Sequence, residues 1–161
     1  MNQSDLSFFF LCLTCRGSWN GRIVAIKKLL SACDEEASLN SKIRHRNVVQ
    51  VFGACFDPPN FCLIMEYAQC NLKQAIHDRN IEATVVVDWA MQIATGMNYL
   101  HTEAPVCVIH RDLKPSNVLV FSDGALKISD FGLSRTRDET MTDRMSAVGT
   151  FEYMAPEVIK V

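Results

Sequence analysis

The sequence predicts an α+β fold of two lobes, a strand-rich lobe followed by a helix-led one. Short apolar runs rich in β-branched residues dominate up to Tyr67, and helical periodicity dominates after it. The 161 residues are 48% hydrophobic and 21% charged, so one domain with a substantial core is expected. The pattern changes near residues 66–68. We therefore expect the first lobe to reach about residue 68 and the second to begin at about residue 69.

Three apolar segments of the first lobe predict strands, at residues 23–30, 48–55 and 61–67. The second and third are joined by Asp-Pro-Pro-Asn at residues 57–60, which is a typical turn sequence. Residues 34–44 lie between the first two strands and carry Glu35, Leu39 and Ile43 at four-residue spacing. This spacing predicts a short amphipathic helix.

A long helix is predicted to lead the second lobe. Residues 85–101 place four apolar side chains on one helical face at spacings of four, four and three, namely Trp89, Ile93, Met97 and Leu100. Three short β-like segments follow, at residues 106–109, 118–121 and 125–128. The Ser-Asp-Gly sequence between the last two predicts a hairpin turn.

Composition and charge limit the classes of partner and compartment. A net charge of −2 gives no electrostatic reason to expect nucleic acid or an anionic membrane as a partner. The apolar run at residues 8–13 is far shorter than the roughly 20 residues of a membrane span, so no span is predicted. The seven cysteines are scattered and odd in number. They favour free thiols in a reducing, cytoplasmic compartment over a disulfide framework or a zinc site.

The strongest motif is His-Arg-Asp-Leu-Lys-Pro-Ser-Asn at residues 110–117, which matches the pattern H-R-D-L-x-x-x-N. Five fixed residues match by chance in about one window in a few million. Asp-Phe-Gly follows at residues 130–132 and Ala-Pro-Glu at 155–157, while Val-Ala-Ile-Lys lies upstream at 24–27 on a predicted strand. Four motifs in this order resemble those of the eukaryotic protein kinases.

This resemblance implies a two-lobed protein-kinase-like fold that binds ATP and Mg²⁺. The protein in such a site mainly positions groups and neutralises charge, because phosphoryl transfer needs little covalent help. Asp112 would orient the substrate hydroxyl, and Asn117 and Asp130 would supply the oxygen ligands that Mg²⁺ prefers. Lys27 would hold the α- and β-phosphates while paired with a glutamate from the helix behind it.

The identity of that glutamate stays open between two neighbours. Counting back from His45 selects Glu36, which we predict, whereas the stripe formed by Leu39 and Ile43 favours Glu35. Glu36 follows Lys27 by only nine residues, fewer than is usual in the family. Either carboxylate could instead stabilise the predicted helix by lying near the positive, N-terminal end of its dipole.

The adenine site follows from the resemblance alone. Glu66 and Ala68 would present backbone groups to the adenine ring, beside Met65 at the gatekeeper position. Ala25 and Leu119 would enclose the ring on its two faces. The implied cofactor-binding residues are Ala25, Lys27, Met65, Glu66, Ala68, Leu119 and Asp130, and the implied metal ligands are Asn117 and Asp130.

Lys114 resembles the serine/threonine class of protein kinases, in which a lysine two residues after the catalytic Asp contacts the γ-phosphate. The segments at residues 51–55 and 62–68 are similar to the tyrosine-kinase-like group. Within that group the chain resembles MAP kinase kinase kinases of the mixed-lineage and TGF-beta-activated types. The resemblance implies MAP-kinase-type signal transduction with a protein substrate, for which MAP kinase kinases are candidates. An upstream activating kinase or adaptor is a further implied partner.

Arg111, directly before Asp112, implies control by phosphorylation. A phosphate on the segment between Asp-Phe-Gly and Ala-Pro-Glu would pair with this arginine and order the segment. The candidate sites are Thr140, Thr142, Ser146 and Thr150. By resemblance Ser146 is preferred, and Thr150 is expected to hydrogen-bond Asp112 instead.

Residues 1–13 depart from the family pattern. The positions expected to form a G-x-G-x-x-G loop carry Ser7, Phe9 and Cys12, and such side chains keep backbone N–H groups away from phosphates. We therefore predict a divergent segment at 1–13 and a partial, truncated kinase domain at 14–161, because the family continues well beyond Glu157. Very low phosphotransfer is expected from this chain alone. The alternative hypothesis is a catalytically impaired, kinase-derived interaction module.

Overall fold

The computed structural model describes residues 14–29, 42–77, 81–130, 135–136 and 149–159, with 135 and 136 described by their backbone alone. The helix predicted at 34–44 and the divergent segment at 1–13 lie almost entirely outside these ranges. Within them the chain forms a four-stranded sheet, followed by helices and short strands. The predicted α+β arrangement of a strand-rich part and a helix-led part is confirmed.

The first lobe is an antiparallel four-stranded sheet. Its strands are β1 (Thr14–Trp19), β2 (Arg22–Lys28), β3 (Val51–Cys55) and β4 (Cys62–Glu66), in the spatial order β1-β2-β4-β3. Strands β2, β3 and β4 agree with the three predicted strands. The predicted turn between β3 and β4 is also confirmed, because Asn60 N donates to Asp57 O at 2.7 Å.

Among the four strands of the first lobe, β1 is the one that the apolar patterns do not predict. It is exposed along most of its length, so it lacks the apolar alternation of a half-buried strand. Its turn into β2 carries a clearer signal, since Asn20 and Gly21 have φ values of 50° and 75°. This left-handed backbone is typical of a tight two-residue hairpin with the sequence Asn-Gly. The hairpin could therefore have been found from its turn.

One face of this sheet carries Lys27. Ala25 of β2 pairs with Met65 of β4, and Lys27 pairs with Leu63, so these four side chains lie on the same face. Ala25, Lys27 and Leu63 are buried, whereas the flanking Lys28 is exposed on the other face. The strand pattern thus directs the lysine inward among apolar neighbours.

The second lobe combines helices with short strands. Helix α1 (Leu72–His77) is followed by the long helix α2 (Ala83–Asn98), which continues into a π-helical turn at Tyr99–Glu103. The strands are β5 (Cys70–Asn71), β6 (Val108–Ile109), β7 (Val118–Val120), β8 (Leu126–Ile128) and β9 (Arg135–Thr136). Strands β5, β7 and β8 form one sheet, and β6 pairs with β9. The remaining elements are 3₁₀ turns at Pro115–Asn117 and Phe151–Tyr153 and helix α3 (Pro156–Ile159).

The predicted hairpin between β7 and β8 is confirmed. Phe121 N donates to Ala125 O at 2.9 Å, and Gly124 N donates to Phe121 O at 3.0 Å. Gly124 has a φ of 81°, a conformation that residues with a Cβ rarely adopt. The hairpin matters for the site because Asn117 directly precedes β7 and Asp130 follows β8.

Helix α2 and the π-helical turn pack on two buried clusters. One cluster is contacted by Trp89 and Ile93 and consists of Leu72, Ala75, Val118, Val120 and Leu126. The other is contacted by Met97 and Tyr99 and consists of Ile43, Val48, Leu100, Val108 and Ile128. The predicted apolar face of this helix is therefore confirmed, and it supports both sides of the β7–β8 hairpin.

A polar junction joins the two lobes beside this core. Val49 N donates to Ile128 O, and Ile128 N donates to Asn47 O, both at 2.9 Å. The buried Asn47 side chain donates to Leu126 O at 2.9 Å. Gly96 of α2 approaches so closely that an added Cβ would lie 2.6 Å from Asn47 O. The segment before β3 is thus fixed against both β8 and α2.

The other face of α2 exposes apolar side chains. Its exposed residues include Val85, Val86, Val87 and Met91. Among the described helices, α2 included, none combines the length and the apolar character that crossing a bilayer requires.

Candidate active site

A cavity of about 300 Å³ opens between the first sheet and strand β7. Every residue that the sequence predicts for cofactor binding lines it, namely Ala25, Lys27, Met65, Glu66, Ala68, Leu119 and Asp130. Asn117 lines it as well. Motifs that are about a hundred residues apart in the sequence therefore meet at one space. Its volume is at the lower end of the range of about 300–1,000 Å³ for ligand pockets.

Other residues that line the cavity were not predicted to bind a cofactor. They are Thr14, Val49, Val51, Leu63, Tyr67, Cys70, Asn71, Ser116 and Ser129. Val51 pairs with Met65, and Leu63 precedes Met65 by two residues, so strand alternation would have found both. Cys70 and Asn71 carry no such signal, because β5 is only two residues long.

Lys27 forms an ion pair with Asp130 across the cavity. Its Nζ donates to Asp130 Oδ1 at 2.9 Å, and the lysine is 9% exposed. A buried ammonium is costly unless an opposite charge and a hydrogen bond compensate it, and this carboxylate supplies both. The glutamate partner predicted for Lys27, Glu36 with Glu35 as the alternative, lies outside the described residues and stays a prediction.

The backbone is left-handed at two points of the site. Arg111 has a φ of 62° and Asp130 a φ of 66°, values that residues other than glycine rarely adopt. Such conformations cost about 1–3 kcal/mol each and persist where the surrounding structure imposes them. Because Arg111 directly precedes Asp112, the strain is concentrated at the two carboxylates of the site.

His110 connects the two segments whose backbone is left-handed at Arg111 and at Asp130. Its buried ring makes a 2.8 Å hydrogen bond from Nε2 to Ser129 O, and Nδ1 accepts from Asp112 N at 3.3 Å. An accepting Nδ1 requires the neutral tautomer with its proton on Nε2. Burial lowers the pKa of His110 below its usual value, although the Ser129 carbonyl and two nearby carboxylates oppose the shift.

Acidification is expected to destabilise the chain through His110. Folding lowers the pKa of this ring, so the unfolded chain binds more protons just below the usual value of about 6.5. The free energy of unfolding is therefore highest above that pH and falls as the pH drops through it. Urea unfolding at about pH 7.5 and at about pH 5.5 would measure the decrease.

Burial also lowers the pKa of His45, so His45→Gln is the matched control for this experiment. Because His110 is intact in that variant, its free energy of unfolding should still fall on acidification. A value that does not change with pH in His45→Gln would contradict the prediction.

Asp112 lies in a network of polar side chains. Thr150 Oγ1 donates to Asp112 Oδ1 at 2.6 Å, which confirms the expected hydrogen bond. On the other oxygen, Lys114 Nζ lies 2.7 Å from Oδ2, and Asn117 Nδ2 donates to Oδ2 at 3.0 Å. Lys114 also donates to Thr150 Oγ1 at 2.6 Å. The carboxylate is thus held in one orientation by three side chains from two parts of the chain.

The protonation of Asp112 follows from the same contacts. Burial by itself would raise its pKa, but the hydrogen bond and charge of Lys114 and the hydrogen bonds from Thr150 and Asn117 outweigh burial and lower it. The carboxylate is therefore ionised at neutral pH. A weakly basic carboxylate of this kind is suited to orienting a hydroxyl proton.

Asn117 is oriented so that its amide oxygen is available to a cation. Its Nδ2 donates to Asp112 O at 2.9 Å and to Asp112 Oδ2, so both amide hydrogens are engaged. Ser129 fixes the backbone, since its N and Oγ both donate to Asn117 O. The Asn117 amide and the Asp130 carboxylate line the same cavity. Oxygen ligands of these two kinds fit Mg²⁺.

Glu66 has a side-chain role that the sequence did not indicate. Its carboxylate accepts from Gln50 N at 2.6 Å and forms an ion pair with Lys127 of β8. Lys127 also lies over the Phe121 ring, 4.7 Å from its centroid. The carboxylate joins the two lobes beside the cavity, whereas the sequence predicted only the backbone of Glu66 there.

Much of the predicted regulatory segment lies outside the described residues, including Phe131, Gly132, Thr140, Thr142 and Ser146. Its described end packs against residues 111–114. Gly149 has a φ of 133°, and an added Cβ there would lie 2.6 Å from Arg111 O. This close approach brings Thr150 within reach of Asp112.

Known proteins resemble this chain over most of its length. The family model "Protein kinase domain" matches residues 9–161. Mitogen-activated protein kinase kinase kinase 11 of Homo sapiens is 45% identical to this chain over 90% of its length. Mitogen-activated protein kinase kinase kinase 10 of Mus musculus is 42% identical over 91%. A mitogen-activated protein kinase kinase kinase of Drosophila melanogaster is 41% identical over 93%.

The matched region covers only 19%, 17% and 14% of those three relatives, so the chain spans less than a fifth of their length. The family match nevertheless covers nearly all of this chain, including each motif of the site. Its sheet, helices and cavity correspond to the two-lobed kinase arrangement that the sequence predicted. The chain therefore belongs to the protein kinase family.

Proposed function

We propose that the chain is the nucleotide-binding and catalytic part of a serine/threonine protein kinase that transfers the γ-phosphate of ATP to a protein. The observation that carries the proposal is the convergence of Lys27, Asn117 and Asp130 on one cavity, with Asp112 hydrogen-bonded to Asn117. The relatives bear the name mitogen-activated protein kinase kinase kinase, which supports a role in MAP-kinase-type signalling. A MAP kinase kinase is accordingly the proposed substrate.

Lys27, Asp130 and Asn117 are proposed to bind the phosphates and their Mg²⁺ ion. Lys27 would contact the α- and β-phosphates from the sheet, while Asp130 and Asn117 would hold Mg²⁺ from below. The cation, when bound, neutralises charge on the transferred phosphoryl group. The 2.9 Å contact between Lys27 and Asp130 supports this assignment, because it holds the cationic and anionic binding groups next to each other.

Asp112 and Lys114 are proposed to act at the transferred phosphoryl group. Asp112 would orient the substrate hydroxyl, and its lowered pKa keeps it an acceptor at neutral pH. Lys114 lies 2.7 Å from the same carboxylate and would contact the γ-phosphate. Thr150 holds both side chains in place through one hydroxyl.

The apolar end of the cavity is proposed to hold adenine. Ala25 from β2 and Leu119 from β7 line it from the two lobes, so a flat ring between them would have one apolar side chain on each face. Met65 would limit its depth, and the backbones of Glu66 and Ala68 would hydrogen-bond the ring edge. The Glu66–Lys127 ion pair supports this assignment, because it fixes the segment that begins at Glu66 and connects the two lobes.

The kinase domain is proposed to occupy residues 14–161 of this chain, with the first lobe reaching about residue 68 and a divergent segment at 1–13. Free thiols support a cytoplasmic location. An upstream kinase is proposed to phosphorylate Ser146, whose phosphate would pair with Arg111. An adaptor is a further proposed partner.

A non-catalytic interaction module is the second candidate function. The observation that favours it is the sequence at the expected glycine loop, where Ser7, Phe9 and Cys12 replace the three glycines. A loop without these glycines covers phosphates less closely, so nucleotide binding without efficient transfer would be expected. Measurement of binding and transfer on the same preparation separates the two candidates.

Lys27→Met is expected to weaken binding of Mg²⁺-ATP by about 10- to 100-fold, because it removes a charged hydrogen bond worth about 1.5–3 kcal/mol. Isothermal titration of the 161-residue chain with a slowly hydrolysed ATP analogue and Mg²⁺ would measure the affinity.

Lys28→Met is the matched control for this titration. Lys28 is the next residue of β2 and is exposed on the other face of the sheet, so its loss should leave the affinity nearly unchanged. Equal affinities for Lys27→Met and the wild type would refute the nucleotide site and, with it, the proposed kinase function.

A further inference from the structure

Two cysteines of the first lobe lie opposite each other on neighbouring strands. Cys55 of β3 pairs directly with Cys62 of β4 in the antiparallel register. Side chains paired in this way point to the same face of the sheet, so the two thiols are neighbours. Leu63 and Met65 line the nucleotide cavity, so Cys62 and its partner lie on the face turned away from it.

The Cα spacing of the two strands is compatible with a disulfide bond. Leu29 N donates to Phe61 O at 2.9 Å, so residue 61 hydrogen-bonds towards β2 and the next residue, Cys62, towards β3. Cys55 and Cys62 therefore form a hydrogen-bonded pair, whose Cα atoms are about 5.5 Å apart in antiparallel sheets. Disulfides span Cα separations of about 4.4–6.8 Å, but their Cβ atoms are about 3.5–4.5 Å apart, which is closer than the roughly 4.5–5.5 Å of a directly opposite pair. Closing the bond therefore strains the hairpin locally, and a strained disulfide is easier to reduce.

Neither cysteine of the pair is sequestered in the core. Both thiols are free and half-buried at the turn end of the β3–β4 hairpin, on either side of the loop at residues 56–61. Elsewhere in the described ranges the strand cysteines face other residue types, since Cys15 pairs with Ile26 and Cys70 with Val120. The register therefore distinguishes one cysteine pair from the other described thiols.

We propose that Cys55 and Cys62 form a redox site that a peroxide converts to a reversible cross-strand disulfide. Disulfides in reducing compartments are usually transient or redox-sensing, which is the role inferred for this pair. The inference depends on the strand register and not on the proposed kinase function, so either can fail without the other.

The chemistry balances with hydrogen peroxide as the oxidant. One thiolate attacks a peroxide oxygen, the O–O bond breaks, and a sulfenic acid and water are formed. The second thiol then attacks that sulfur, the S–S bond forms, the S–O bond breaks, and a second water leaves. The two thiols lose two electrons in total, and one peroxide is reduced to two waters.

Peptide mapping of the oxidised chain tests the pairing. The folded 161-residue chain would be treated with hydrogen peroxide, denatured, alkylated, and cleaved after Arg46 and after Glu66. The resulting peptide contains Cys55 and Cys62 but not Cys70. We expect it to lack two hydrogens, to carry no alkyl group, and to regain both alkylation sites after treatment with dithiothreitol.

A further cleavage before Asp57 separates the two cysteines along the chain, so the halves should stay linked until they are reduced. Cys70→Ser is the matched control and should form the same linked peptide. Cys62→Ser should leave Cys55 open to alkylation once its sulfenic acid has been reduced. The proposal is overturned if both cysteines of the wild type are alkylated, if they are oxidised to sulfinic acids, or if Cys55 is linked to another thiol.

Discussion

Replacing Asp112 by Asn is expected to lower phosphotransfer by about 10²- to 10⁴-fold, the range typical for loss of a positioned acid or base. The substitution preserves the size of the side chain and removes its charge. An amide in place of the carboxylate accepts a hydrogen bond from the substrate hydroxyl less strongly. It also breaks the ion pair with Lys114, which lies 2.7 Å from Asp112 Oδ2.

Nucleotide binding should change much less than transfer in Asp112→Asn. Lys27, Asn117 and Asp130 line the cavity, whereas Asp112 is not among the described residues that line it. Its side chain instead accepts a hydrogen bond from Asn117, which lines the cavity. The affinity for Mg²⁺-ATP should therefore stay within about threefold of the wild type, a free-energy change of less than about 1 kcal/mol.

Transfer of labelled γ-phosphate to a generic protein substrate would measure the effect, with each rate normalised to the bound fraction of nucleotide. The wild-type signal is expected to be small, so the signal of Asp112→Asn should fall to that of a heat-inactivated sample. Asp123→Asn is the matched control, because Asp123 is exposed in the β7–β8 turn and its Oδ1 still accepts from Ala125 N after the change.

Two results would contradict the kinase proposal in different ways. Transfer that survives in Asp112→Asn would show that Asp112 does not orient the hydroxyl. Tight binding of Mg²⁺-ATP by the wild type with no transfer at all would favour the interaction module, because the cavity would then bind nucleotide without Asp112 and Lys114 supporting transfer.

The motifs, through the resemblance that they carry, grouped distant residues into one predicted site. Residues 110–117 and 130 were assigned to it by resemblance to the protein kinases, whose phosphate and Mg²⁺ chemistry demands particular oxygen and nitrogen groups. Of these residues, Ser116, Asn117 and Asp130 line the cavity. Strand β1 escaped prediction because an exposed edge strand needs no apolar alternation. Strand β5 escaped because two residues are too few to show a period.

Tertiary contacts explain what the sequence could not predict within the site. Nothing in the local sequence of Lys127 indicates that it pairs with Glu66, since the two are joined only after β8 packs beside the connecting segment. The contact of Lys27 with Asp130 likewise joins residues that are 103 positions apart, and the backbone at Asp130 is left-handed where it forms. Sequence motifs thus name the groups of the site, and packing decides which of them touch.

Leu100→Ala is expected to lower the free energy of unfolding by about 2–5 kcal/mol, the cost of removing a buried leucine and leaving a cavity. Leu100 is fully buried in the cluster that includes Val48, Val108 and Ile128. Single domains are stable by only about 5–15 kcal/mol, so this one substitution would remove a large share. Chemical denaturation followed by circular dichroism would measure the change.

Met91→Ala is the matched control. Met91 is similar in size to leucine but is 64% exposed on α2, so its removal should cost less than about 1 kcal/mol.

The position of Leu100 also connects stability to the site. Val108 and Ile128, which share its cluster, precede His110 and Asp130 by two residues each. A cavity beneath them would loosen both segments, so Leu100→Ala should bind Mg²⁺-ATP more weakly even where it is fully folded. Equal losses of stability in Leu100→Ala and Met91→Ala would contradict the assignment of Leu100 to the core that supports the site.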